Sequence, residues 1–280
     1  MTRKSYEGVA FFFLVAWLTA TFMLLHFSST PRESVLLLSL TVALIGAAIE
    51  AESWRGWDNL FVPLGIYLFL ARYIDAGPHA VLLATGYLMV ALFLAFRVLP
   101  EFGVDRHAAL AATLIVFVIW IEAGRLNVAA PIAAILCHFA AAARSPCEDG
   151  FPRLSALAGT VVMALAWFGL NKLTAFNTSF LFNLSFAAFG AMGLGLAFGR
   201  RPALLIAGVI ALWALAQIRV FGVAPVTPLK FAFSAAALAL IAASAWGALL
   251  LQPSLARRRY LKLVPAAMVM AAVAFPVAEP

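Results

Sequence analysis

Residues Gly8 to Phe27 read GVAFFFLVAWLTATFMLLHF, twenty positions without one Asp, Glu, Lys or Arg. A helix rises about 1.5 Å per residue, so this run covers about 30 Å, the thickness of a bilayer's hydrocarbon core. In hydrocarbon every backbone N–H and C=O must be satisfied within the segment, which makes the helix the form such a run takes. The same texture recurs along the chain. Further apolar runs fall at about 34–49, 59–73, 79–96, 107–122, 127–143, 154–170, 177–198, 202–218, 229–251 and 261–277. Breakers and charges punctuate the joints: Ser28-Ser29-Thr30-Pro31, Gly77-Pro78, Ser145-Pro146 and Gly199-Arg200-Arg201-Pro202. The expectation is an all-α, polytopic integral membrane bundle of about 11 transmembrane helices (10–11), with the third and sixth short enough to be tilted or re-entrant.

Composition agrees. Of 280 residues, 65% are hydrophobic and 11% charged, against about 25% charged in a soluble domain. A soluble enzyme, a disordered chain and a disulfide scaffold are excluded. Runs this continuous do not alternate as barrel strands do. The net charge of +7 does not mark a nucleic-acid binder, because the basic residues sit singly or in small groups between apolar runs. Two cysteines, Cys137 within a run and Cys147 in a joint, are too few for a disulfide framework. The apolar start lacks a convincing signal-peptidase site and reads as a retained first span.

Charge also orients the chain. With eleven spans, the N-terminal side gathers 13 of the 19 Lys and Arg: Arg3, Lys4, Arg55, Arg97, Arg106, Arg144, Arg153, Arg200, Arg201, Arg257, Arg258, Arg259 and Lys262. The other side holds six: Arg32, Arg72, Arg125, Lys172, Arg219 and Lys230. The positive-inside rule then places the N-terminus in the cytoplasm, in a bacterial inner membrane.

Two short segments carry chemistry. The first is the joint after the second run, where Glu50, Glu52, Asp58 and Asn59 crowd around Trp54 and Trp57. Such oxygens suit a hard cation like Mg²⁺, which commonly brings substrate phosphates. Pro63, one turn into the third run, frees backbone groups for use nearby. The plainer reading is an interfacial loop of acids and belt tryptophans. The second segment is Lys4-Ser5-Tyr6-Glu7-Gly8. An ammonium, a hydroxyl and backbone N–H groups there can hold a phosphate, although an ordinary positive-inside anchor also accounts for the lysine. By the charge count both segments lie on the cytoplasmic side, flanking one helical hairpin, which places a phosphate-binding cation near Glu50 and Asp58.

These residues carry a resemblance. Lys4-Ser5-x-x-Gly8, a helical hairpin, then Glu50-Ala51 and Asp58-Asn59-Leu60-x-Val62-Pro63-Leu64 resemble the closing motifs of the phytol kinase/dolichol kinase family, polytopic enzymes related to the phosphatidate cytidylyltransferases. Phe61 stands where the family's motif usually has Thr. The resemblance covers about residues 1–72. It implies phosphoryl transfer from CTP or a similar nucleotide to a lipid alcohol. Lys4, Ser5 and Gly8 would bind nucleotide phosphate, Glu50, Asp58 and Asn59 would act as catalytic residues, and Glu50 and Asp58 would hold Mg²⁺. It further implies that residues 1–75 are the second half of a lipid-kinase-like core, with 76–280 a separate polytopic domain. A missing N-terminal half would be a partner beside membrane lipids and the lipid alcohol. The family's Gly-Asp nucleotide-binding motif has no counterpart downstream. The Gly190-Ala191-Met192-Gly193-Leu194-Gly195 stretch carries no acid and reads instead as a site of close helix packing.

Alternative readings are a transporter or non-catalytic membrane scaffold built from the later spans, and a phosphatidate cytidylyltransferase-like enzyme. His138 reads as a buried, hydrogen-bonded histidine. Arg257, Arg258, Arg259 and Lys262 read as a cytoplasmic cluster facing anionic headgroups.

Overall fold

The computed structural model describes the chain except residues 1–4, 53–57, 98, 103, 146, 175–176, 200, 222–227, 256, 258 and 275–280. The regular elements among the described residues are all helices, with no strand among them. The α-helices are α1 (Tyr6–Phe27), α2 (Arg32–Glu52), α3 (Asp58–Tyr73), α4 (Pro78–Arg97), α5 (Arg106–Ala123), α6 (Ala129–Arg144), α7 (Pro152–Thr174), α8 (Ser179–Phe198), α9 (Pro202–Phe221), α10 (Pro228–Leu250) and α11 (Arg259–Ala274).

Six segments among the described residues are long and apolar enough to cross a membrane: Tyr6–Phe27, Arg32–Ala51, Pro78–Glu101, Arg106–Ala123, Pro152–Thr174 and Ser179–Phe198. The helices expected to be short are so. Both α3 and α6 have 16 residues, about 24 Å of rise. Large apolar side chains stand outward, among them Phe11, Leu18, Phe22, Leu36, Phe93 and Ile206. A water-soluble monomer rarely leaves so many large apolar side chains uncovered.

The chain divides into two compact units, Met1–Glu122 and Ala123–Pro280. In the first, α2 is the hub. Val35, Leu38, Val42 and Ile45 recur every three or four residues and form one buried stripe. Phe69 of α3, Val81 and Leu88 of α4, and Leu110, Leu114 and Phe117 of α5 close around that stripe. The rings of Phe69 and Phe117 stack with centroids 6.4 Å apart. Hydroxyls tie the helices where apolar packing alone gives little direction. The Thr41 and Thr85 hydroxyls share a hydrogen bond of 2.6 Å, and Thr21 donates to Ser39 at 2.9 Å. The division expected after residue 75 therefore falls inside this unit. Gly77-Pro78 turns the chain, and Pro78 opens α4, where a missing N–H costs nothing. The helices that follow return to the same core.

In the second unit α8 is the hub, packed mainly against α6, α9, α10 and α11 and 89% buried along its best apolar window. Its glycines set the spacing, as the sequence suggested. A Cβ on Gly193 would lie 3.0 Å from the Cys137 carbonyl carbon, and one on Gly195 would collide with the Ala245 backbone. Small residues thus let α6 and α10 approach the hub backbone to backbone. Polar pairs punctuate the interface. Asn183 donates to Asn127 at 2.9 Å, the Trp167 indole N–H donates to Ser185 at 3.0 Å, and Thr178 donates to the Trp167 carbonyl at 3.0 Å.

Candidate functional site

The N-terminal segment is built by a helix cap. Ser5 has extended backbone, φ −71° and ψ 148°, and its hydroxyl accepts from the Gly8 N–H at 3.1 Å. That bond satisfies one of the orphan donors at the start of α1. The serine–glycine spacing read as phosphate chemistry therefore has a local structural role as well. Gly8 suits this turn because a Cβ there would sit 3.3 Å from the Ser5 hydroxyl oxygen.

Helices α1 and α2 have 22 and 21 residues and pack as an antiparallel hairpin. Nearly equal lengths bring the start of the first level with the end of the second. The hairpin is tight at Gly46, where a Cβ would lie 3.2 Å from the Phe12 ring. At its open end is a pocket of about 400 Å³ lined by Ser5, Gly8, Val9, Phe11, Phe12 and Val15 at and beyond the cap of α1 and by Glu50 of α2. Its walls are apolar, and its polar groups are the Ser5 hydroxyl and the Glu50 carboxylate. An amphiphile with an apolar body and a polar end matches that lining.

The structure thus brings Ser5, Gly8 and Glu50 together, 45 positions apart in sequence. Asp58 and Asn59 open α3; their side chains, and Lys4 entirely, lie outside the described residues. The approach expected between Asp58, Glu50 and Lys4 lies outside them too. Pro63 stands inside α3 as read from the sequence, and its ring removes the bond that the carbonyl four residues earlier would otherwise receive. Among the described residues no three His, Cys, Asp or Glu side chains come together as metal ligands. The oxygen-only donors of this corner are of the chemistry Mg²⁺ accepts, and that ion is commonly held by one or two carboxylates with substrate phosphates completing its shell.

The aromatic wall of the pocket was missed in the sequence. Its signal was present: Gly8, Phe11, Phe12 and Val15 follow the three- and four-residue spacing of one helix face.

His138 behaves as the sequence suggested. It is fully buried, its Nε2 donates to the Phe189 carbonyl at 2.8 Å, and its ring lies 3.9 Å from that of Phe189. In the joint after α6, the Cys147 thiol donates to Asp149 at 3.5 Å. Burial, with the Asp149 carboxylate adding to it, holds that thiol's pKa above its ordinary value.

Comparison with protein-family models, with curated proteins and with solved structures finds no match to this chain.

Proposed function

We propose that the chain is an integral membrane protein of eleven spans whose residues 1–75 form the second half of a lipid-alcohol kinase core using CTP or a similar nucleotide. The observation that carries the reading is the shared pocket of Ser5, Gly8 and Glu50. Two segments singled out for phosphate and metal chemistry, far apart in sequence, line one apolar cavity at the end of one hairpin. Phosphoryl transfer asks chiefly for positioning and charge neutralisation. In this reading Lys4 and the Ser5–Gly8 turn face the nucleotide phosphates, and Phe11, Phe12 and Val15 receive the lipid chain. Glu50, Asp58 and Asn59 supply oxygens at the reacting end, and Mg²⁺, when bound, would neutralise phosphate charge. The charge asymmetry of 13 against 6 supports a cytoplasmic N-terminus in a bacterial inner membrane, the side on which nucleotide is found.

The reading assigns the nucleotide-gripping Gly-Asp segment to an N-terminal half outside residues 1–280, supplied either in a longer reading frame or by a partner. Positioning can contribute about 7–11 kcal/mol to such a transfer, so residues 1–280 alone should turn over negligibly. The experiment is labelled-phosphate transfer from CTP to phytol, dolichol and related polyprenols in liposomes, with and without a complementing half. Turnover only on complementation, abolished by Asp58→Asn and Glu50→Gln in protein that still folds, is the expected result. Turnover indifferent to both substitutions, or none in any combination, refutes the reading.

A further inference from the structure

The pocket between the cap of α1 and Glu50 does not stop at its own walls. Phe11 and Val15 line it, and the same face of α1 continues through Leu18 and Phe22. Steps of four, three and four residues keep these side chains on one side of a helix. All four are between 45% and 69% exposed, and only 6% of the apolar window of α1 is buried. We propose that this stripe is the chain subsite of the pocket. A long-chain lipid alcohol enters sideways from the bilayer, lies along α1 and brings its hydroxyl to Ser5 and Glu50. What the hydroxyl does there rests on the kinase reading; where the lipid lies and how it arrives go beyond it.

The direction of the chain follows from what is closed. On the α2 side the hairpin is shut directly below the pocket. A Cβ on Gly46 would lie 3.2 Å from the Phe12 ring, and further down Thr21 donates to Ser39 at 2.9 Å. A chain whose head is in the pocket therefore cannot pass between the two helices. It leaves past Phe11 and Val15, on the outward face. From Ser5 to Phe22 the helix rises about 25 Å, most of the roughly 30 Å of a hydrocarbon core. An extended chain on this stripe stays at bilayer depth while its head reaches the interface.

The polar end fits a hydroxyl. The Ser5 oxygen accepts from the Gly8 N–H at 3.1 Å, and an accepting hydroxyl still has its proton to give. An ionised carboxylate such as Glu50 only accepts, and its two oxygens have room for several donors. The group that accepts from the one and donates to the other is an alcohol; an ether oxygen accepts but cannot donate. The head must also carry the selectivity. A chain already in the bilayer is out of water, so its contact with α1 adds packing and no hydrophobic drive.

Helix α4 supplies an internal control. Leu83, Tyr87, Val90 and Leu94 repeat the same spacing at 43% to 59% exposure, and none of them lines the pocket. Bulk lipid treats the two stripes alike, whereas a lipid held by its head distinguishes them.

The test uses the full chain in liposomes, without nucleotide and without a complementing half. The probe is a straight-chain primary alcohol carrying a diazirine near the head or near the tail, and adducts are located by peptide mass spectrometry. The head-proximal label should mark Phe11 and Val15, and the tail label Leu18 and Phe22. Excess unlabelled alcohol should displace both and leave the labelling of α4 unchanged. The methyl ether of the same alcohol should compete about tenfold less well. Val15→Trp, at an exposed position, should fill the mouth of the pocket and remove the displaceable labelling with the melting temperature unchanged. If that variant fails to fold, the comparison of alcohol with ether on the unaltered chain decides. Equal labelling of α1 and α4, labelling that alcohol cannot displace, or equal competition by the ether overturns the proposal. A dimer in native mass spectrometry that excludes the probe would give the stripe to a second copy and overturns it too. Displaceable labelling with no turnover on complementation would refute the kinase reading and leave the lipid subsite; turnover with undisplaceable labelling would do the reverse.

Discussion

Replacing Gly193 by alanine tests whether backbone approach, rather than side-chain packing, sets the second unit. The new methyl carbon would lie 3.0 Å from the Cys137 carbonyl carbon and 3.1 Å from both the Cys137 Cβ and the His138 nitrogen. Two of these neighbours are backbone atoms, and Cβ positions move only with the backbone. Carbon contacts relax at about 3.5–4.0 Å, so α6 and α8 must part by about half an ångström or more. Overpacking of this kind costs about 1–3 kcal/mol. Alanine also recovers about 1 kcal/mol of helix propensity, which leaves the variant between neutral and about 2 kcal/mol less stable. Gly169 of α7 provides the control, since a Cβ there meets nothing within 4 Å. Gly169→Ala gains the propensity without the clash. The difference between the two variants isolates the packing term at about 1–3 kcal/mol. Reversible unfolding in mixed micelles, followed by circular dichroism, measures both. Equal stability changes in the two variants would refute the claim that α8 is a contact hub at Gly193.

Two further outcomes follow from particular bonds. Thr85→Val removes one partner of the buried Thr41–Thr85 hydroxyl pair at 2.6 Å and should cost about 0.6 kcal/mol, with about 1.7 as the ceiling for such bonds in membranes. The same titration checks it, and no loss at all would show that the pair does not tie α2 to α4. Cys147, studied with Cys137 replaced by alanine, should alkylate more slowly than a free thiol at neutral pH. A raised thiol pKa lowers the thiolate fraction at any given pH. Its rate should still climb beyond about pH 8.5, where an ordinary thiol is half ionised, and half-maximal reaction at or below that pH would contradict the shift.

The helical architecture was legible because hydrocarbon leaves the backbone few alternatives. Runs such as Gly8–Phe27 announce themselves by length alone, and the shortness of α3 and α6 was visible in the spacing of their breakers. Unit boundaries were less legible. Gly77-Pro78 looks like an ending in sequence, yet Thr85 and Leu88 beyond it complete the core begun by Val35, Leu38 and Thr41. A turn signal reports that the chain changes direction, and only the buried stripe of the next helix reports which core it rejoins. The candidate site was legible in its polar members and blind in its walls. Ser5, Gly8 and Glu50 stand out against an apolar background, whereas Phe11 and Phe12 are lost among the chain's 24 phenylalanines.

Both polar corners of this molecule arise from one rule about span length. Charges are costly at bilayer depth, so polar groups collect at helix ends, and helices of matched length return those ends to a common level. Ser5 thereby meets the pocket of Glu50 across one hairpin, and Ser145 meets Arg259 across 114 positions and several helices. Counting spans is enough to infer which joints share a level. It does not tell which member of a joint turns inward. Arg257 and Arg259 are two positions apart in one basic cluster, and sequence treats them alike. The first is 81% exposed and pairs with Glu148 at the surface; the second begins α11 and is wholly buried against Ser145. An exposed pair of this kind contributes at most about 1 kcal/mol, while a buried arginine obliges its surroundings to supply counter-charge. The residue that looked like one of several headgroup anchors is therefore the one tied into the protein interior, through the Ser145 hydroxyl and carbonyl.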